Sequence, residues 1–150
     1  MLGIPLTYLA LISAIAMSAS AILKAPVKVV LGTMSYGGQT PKAVAMQQLE
    51  HFVSIGHNNV DTARMYVHGQ TEQLLGEILQ ESPMLQQTLV IDSKVNAFPD
   101  YDKSLHPDNV LLQFEKILHS LQTNAINVLY LHAPGKILVL PIFLSHMVIR

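Results

Sequence analysis

A chain of 150 residues and 16.5 kDa has room for one ordinary domain and excludes a complete large barrel, which runs to roughly 250 residues. Half of the residues are hydrophobic, 13% are charged and the mean hydropathy is +0.35, which excludes a disordered chain. A net charge of −1 offers no basic face for nucleic acid, and the lack of cysteine excludes disulfides, thiolate zinc sites and thiol catalysis.

The chain divides into three by its charges. Residues 1–23 carry no charged side chain and are long enough to cross a bilayer as a helix of about 20 residues. Two readings fit them: a targeting signal with small residues Ala16 to Ala21 at its end, or an uncleaved anchor flanked by Lys24 and Lys28. The first places the chain in a secretory or organellar route and the second on a membrane. Residues 24–135 read as a globular domain, and residues 136–150 as a separate apolar tail interrupted by Pro141.

Within the middle section, Lys28 to Thr33 is β-branched and apolar and predicts a buried strand, stopped by the turn at Gly37-Gly38. Thr40-Pro41 predicts a helix start, with Thr40 as the cap and Pro41 in the first turn. Ala45, Leu49, Phe52 and Val53 recur at helical spacing, and Gly56 stands where a C-terminal cap belongs. Asn59 to Asp61 is a short second strand. A second helix follows Gly69 with Leu74, Leu75, Ile78 and Leu79 on one side, and ends near Ser82-Pro83. Thr88 to Lys94 predicts a third strand. His106-Pro107 starts a third helix striped by Val110, Phe114, Ile117, Leu118 and Leu121, and Ala125 to His132 a fourth strand.

Four strands alternating with three helices imply a parallel sheet with crossover connections, either doubly wound or part of a barrel. Asp61, Lys94 and His132 fall at the C-terminal ends of successive strands, with Tyr66 in the loop after one of them. In a (β/α)-barrel that rim is where catalytic groups collect.

The segment Asp61-Thr-Ala-Arg-Met-Tyr66-Val-His-Gly69-Gln-Thr-Glu72-Gln-Leu-Leu-Gly76 resembles the second-strand and second-helix signature of the aldo-keto reductases. Gly32-Thr33-Met34, Ser93-Lys94 and Leu129-Tyr130-Leu131-His132-Ala-Pro134 resemble the ends of the first, third and fourth strands of that family. The wording is most similar to its aflatoxin-aldehyde reductase branch. The resemblance implies NADPH-dependent reduction of small aldehydes and ketones in a cytoplasmic setting. It also implies a tetrad: Tyr66 protonates the carbonyl oxygen, Lys94 pairs with it because a neighbouring cation favours phenolate, Asp61 holds Lys94, and His132 orients the carbonyl. Gly32, Thr33 and Met34, with Asp61, are implied to border the nicotinamide. Independently of the family, a carbonyl that accepts hydride develops negative charge on oxygen and needs a proton donor and fixed dipoles there.

Two features depart from the family pattern. Asp92 precedes Lys94 by two residues and shares its strand face, where the family has a small or apolar residue; it is expected to compete with Asp61 for Lys94 or to stand unpaired at a cost in stability. Asn127 stands where the family carries an acidic residue. The resemblance stops just after the fourth strand of a barrel that has eight, and implies that the sites for the pyrophosphate and 2′-phosphate lie in the second half. The expectation is therefore the N-terminal half of a (β/α)8 barrel preceded by an apolar helix. Its open strand edges favour self-association, and by itself it is expected to bind NADPH weakly and turn over little. The alternative is a non-enzymatic, membrane-associated or interaction protein on the same scaffold.

Overall fold

The computed structural model describes residues 27–97 and 104–133. The segments read as a leader helix and an apolar tail lie outside the described residues, and among the described residues no helix is long and apolar enough to cross a membrane.

The elements are β1 (Val30–Gly32), α1 (Lys42–Ser54), β2 (Asn59–Asp61), a 3₁₀ turn (Tyr66–Gly69), α2 (Gln70–Glu81), α3 (Pro83–Thr88), β3 (Val90–Val95), α4 (Pro107–Leu121) and β4 (Val128–Leu131). All strand pairs are parallel and the sheet order is β1-β2-β3-β4. A doubly wound sheet reverses its order at a switch point, whereas a barrel adds each strand beside the last. The structure is therefore an arc of a (β/α)-barrel.

Strand alternation sorts the side chains onto two faces. Val60, Ile91, Val95 and Leu129 are buried with Ala45 and Leu49 of α1, Leu75, Ile78 and Leu79 of α2 and Val110, Ile117 and Leu121 of α4. Burying each large aliphatic side chain there is worth about 1.5–3 kcal/mol. Paired residues share a face, so Gly32, Asp61, Asp92 and Val128 form a row on the opposite side, with Lys94 beside Tyr130 one step further along. Helices thus cover one face, and a polar row occupies the other.

Four expectations about the elements change. β1 is three residues long and not buried: Val30 is 46% exposed, because β1 is an outer strand whose polar-row face looks onto a cavity. Thr40 does not cap α1. Its hydroxyl meets Ser35 Oγ at 2.8 Å, closing the loop after β1, and Pro41 itself occupies the cap position without a side-chain hydrogen bond. A fourth helix, α3, intervenes where the third strand was expected to begin. Ser82 Oγ accepts from the Leu85 N–H at 3.5 Å and Pro83 fills the first turn, so the segment is preset for a helix too short to leave a periodic signal. β3 starts only at Val90.

The end of α1 follows its sequence. Gly56 has φ +90, its N–H donates to Val53 O, the His57 N–H donates to Phe52 O, and the His57 and Phe52 rings pack at 5.3 Å. Gly76 lets α2 approach α4 closely, since a Cβ there would collide with the carbonyl oxygen of Ser120.

Tyr36, in the loop after β1, is 2% exposed and its hydroxyl has no hydrogen-bond partner; burial pushes its pKa up to about 12. Removing an unsatisfied buried hydroxyl relieves a desolvation penalty. Tyr36→Phe is accordingly expected to gain about 1 kcal/mol, read as a higher urea midpoint with an unchanged m-value.

Candidate active site

Asp61 ends β2, and the chain then passes Arg64 into the turn that begins at Tyr66. Lys94 is the fifth residue of β3, on the polar-row face with Asp61. His132 follows β4 directly and is fixed by its backbone N–H, which donates to Val95 O at 3.1 Å. The four residues expected to act together do converge at one rim.

Lys94 is the centre of the cluster. Its Nζ donates to both carboxylate oxygens of Asp61 at 2.6 Å, to the Thr62 carbonyl at 2.8 Å and to Tyr66 Oη at 3.4 Å. An ammonium has three protons and no lone pair, so these partners occupy it fully. The side chains of Lys94 and Asp61 are 18% and 30% exposed, which makes this a half-buried ion pair with a fixed geometry. Tyr66 and His132 meet edge to face with ring centroids 5.7 Å apart.

Burial holds the His132 imidazole below its usual pKa; the Lys94 ammonium acts in the same direction and Asp61 opposes both. His132 is therefore a neutral imidazole at pH 7, able to donate from one nitrogen and accept at the other, and its Nδ1 is buried without a partner. Because the folded pKa is depressed, the unfolded chain takes up this proton first as pH falls. The contribution of His132 to stability is present above about pH 6.5 and declines below it. Thermal unfolding of the wild type is thus expected to lose more Tm between pH 7.5 and 5.5 than that of His132→Gln.

The three residues expected to border the nicotinamide divide. Gly32 opens onto space in which a Cβ would meet no atom within 4 Å, and Met34 is 67% exposed. Thr33 is fully buried, and its hydroxyl donates to the Asp61 carbonyl at 3.0 Å, so its side chain braces β1 against β2. Val30, Gly32, Asp61, Lys94 and Tyr130 line a cavity of about 490 Å³ on the polar-row face. A glycine at its wall and an ammonium beside it suit a flat ring brought against the rim, so these residues fit the nicotinamide end of the implied cofactor.

Asp92 neither competes for Lys94 nor stands alone. Asn127 Nδ2 donates to Asp92 Oδ1 at 2.7 Å, so the two departures from the family pattern satisfy each other. Asn127→Asp would set two carboxylates at that separation. It is expected to cost about 1 kcal/mol at pH 8 in urea unfolding, the exposure of Asn127 limiting the effect, and to lose that cost when Asp92→Ala is added.

Sequence reasoning assigned no role to Glu72, Ser93 or Arg64. Ser93 Oγ donates to the fully buried Glu72 Oε1 at 2.6 Å, and Arg64 Nη1 lies 3.9 Å from Glu72 Oε2. Strand alternation supplied the missing signal, since a residue next to Lys94 must point to the helical side, where a polar partner is needed.

An arc of a (β/α)-barrel with a polar cluster at the C-terminal rim is the class that fold and geometry define. Residues 28–147 match the profile of the aldo/keto reductase family, and the chain belongs to that family. Over 105 residues it is 37% identical to aflatoxin B1 aldehyde reductase member 2 of Mus musculus and 37% identical to that of Homo sapiens, covering 70% of this chain in each case. The chain spans 28% and 29% of the length of those relatives. Among solved structures, an aldo-keto reductase from Klebsiella pneumoniae in complex with NADPH aligns with TM-score 0.57 and 26% identity, covering 73% of this chain and 36% of that one. A thermostable aldo-keto reductase in complex with the inhibitor epalrestat aligns with TM-score 0.58 and 28% identity, covering 71% and 39%.

Proposed function

We propose that this chain carries the proton-donating part of a carbonyl-reduction site, with small aldehydes and ketones as substrates and NADPH as cofactor. The observation that carries this reading is the direction of the Lys94–Tyr66 contact. With the Lys94 protons engaged by Asp61, the Thr62 carbonyl and Tyr66 Oη, the phenol oxygen accepts, and the phenol's own proton points elsewhere. A cavity lined by Gly32, Asp61, Lys94 and Tyr130 adjoins the Lys94–Asp61 pair.

NADPH, when bound, supplies hydride to the carbonyl carbon. Tyr66 gives its proton to the oxygen on which negative charge develops, and the Lys94 ammonium stabilises the charge left on Tyr66. Asp61 keeps the ammonium from turning away and compensates its charge. His132, neutral at pH 7, offers an N–H to the substrate oxygen and thereby fixes the approach of the carbonyl.

The chain covers 28% of the length of the first of these relatives, so slow turnover and weak NADPH binding are expected of it alone. Oxidation of NADPH at 340 nm, with a panel of small aldehydes at high protein concentration, tests the proposal. Wild type should show aldehyde-dependent oxidation, and Tyr66→Phe should lower it by about 10²–10⁴-fold. Equal rates in both, or no aldehyde-dependent rate in either, would reject the enzymatic reading.

A further inference from the structure

The residues from Tyr66 to Glu72 hold features that cost stability and that a barrel arc by itself does not need. Val67 and His68 both take left-handed backbone, with φ of 47 and 54. A β-branched residue is strongly disfavoured there, and such strain persists only where surrounding contacts impose it. Glu72, in the first turn of α2, is a fully buried carboxylate whose Oε2 accepts no hydrogen bond. Desolvation raises its pKa, against the opposing influence of Ser93, Arg64 and Lys94. An apolar side chain would be cheaper at this position, as Leu75, Ile78 and Leu79 show on the same helix.

We propose that Arg64, Glu72 and Ser93 form a brace whose role is to position Tyr66 against Lys94. Arg64 and Glu72 flank the Tyr66 turn in sequence, and their 3.9 Å approach closes it. The guanidinium also fills the space that a Cβ on Gly69 would take, so it packs directly on the end of the turn. Glu72 in turn holds Ser93, and the Arg64 N–H donates to the Lys94 carbonyl at 3.0 Å. Ser93 and Lys94 leave β3 on opposite faces, so fixing Ser93 on the helical side fixes the base of the Lys94 side chain on the other. Opening the brace lets the left-handed pair relax and carries Tyr66 away from the ammonium. An apolar residue at position 72 could fill the volume but could not hold Ser93 and Arg64 together.

This inference rests on reading Tyr66 and Lys94 as a working pair, and its test needs no turnover. The protein is prepared with ¹³Cζ-labelled tyrosine; of its five tyrosines, Tyr66 is assigned by the resonance missing in Tyr66→Phe. Lys94→Met gives the position of the unpaired phenol. Ser93→Ala and Arg64→Met are each expected to move the Tyr66 resonance at least halfway to that position. Ser93→Thr should restore it, and Glu72→Gln, which keeps an acceptor for Ser93, should move it less than Glu72→Leu. A Tyr66 resonance that stays at its wild-type position in folded Ser93→Ala and Arg64→Met, with only thermal stability reduced, overturns the brace as a positioning device. Should either variant unfold by circular dichroism, the other decides, together with the Ser93→Thr and Glu72→Gln pair. Failure of the carbonyl-reduction reading shows itself separately, as equal turnover in wild type and Tyr66→Phe.

Discussion

Lys94→Met is expected to lower aldehyde-dependent NADPH oxidation by about 10²–10³-fold and to destabilise the fold by about 2 kcal/mol. The catalytic loss follows because the ammonium 3.4 Å from Tyr66 Oη can no longer steady the charge left as the proton departs. The stability loss has a separate origin. Methionine fills the stem of lysine, but Asp61 keeps a carboxylate that was satisfied by two contacts of 2.6 Å. A fully buried unpaired charge would cost 3–5 kcal/mol; the 30% exposure of the Asp61 side chain reduces that. The two effects come apart in a double mutant. Asp61→Asn added to Lys94→Met should recover most of the stability in urea unfolding and none of the turnover. Recovery of turnover in the double mutant would show that the ammonium acts only by neutralising Asp61.

Gly76→Ala is expected to destabilise by about 3 kcal/mol, the upper part of the range for overpacking, since the added Cβ meets backbone. The obstacle is the carbonyl oxygen of Ser120 together with the backbone of Leu121, and α2 and α4 would have to separate. The measurement is a denaturant midpoint at constant m-value. Because α2 also carries Glu72, separation of the helices should disturb the rim as well. Gly76→Ala is therefore the substitution far from Lys94 most expected to lower carbonyl reduction.

The elements with a clear apolar period were legible in the sequence. α1, α2 and α4 lie where Leu49, Leu75 and Leu121 mark their buried faces, β2 and β3 fall between them, and β4 follows α4. The rim was legible too: Asp61, Lys94 and His132 lie at or just beyond the C-terminal ends of successive strands, and parallel pairing sets those ends side by side. Short-range features were less so. α3 is under two turns long and has no period to detect, and Thr40 turned from a helix cap into a loop bond because Ser35 lies within 2.8 Å.

Residue types and their spacing, by themselves, determined that strands alternate with helices and that an acid, a phenol, an amine and an imidazole arrive at one end of a sheet, because parallel crossovers repeat the same polarity. The family resemblance implied the Asp61–Lys94 pair, and tertiary structure gave its physical reason and decided the partners of Asp92 and Glu72. Asp61 takes Lys94 because strand pairing sets β2 beside β3, while Asp92 finds Asn127 across the next strand. Glu72 gained its partners in the same way, since Ser93 reaches it only when α2 packs over β3. Sequence period fixes which face a side chain takes, but the partner on that face comes from another element, and the distance between elements is set by packing.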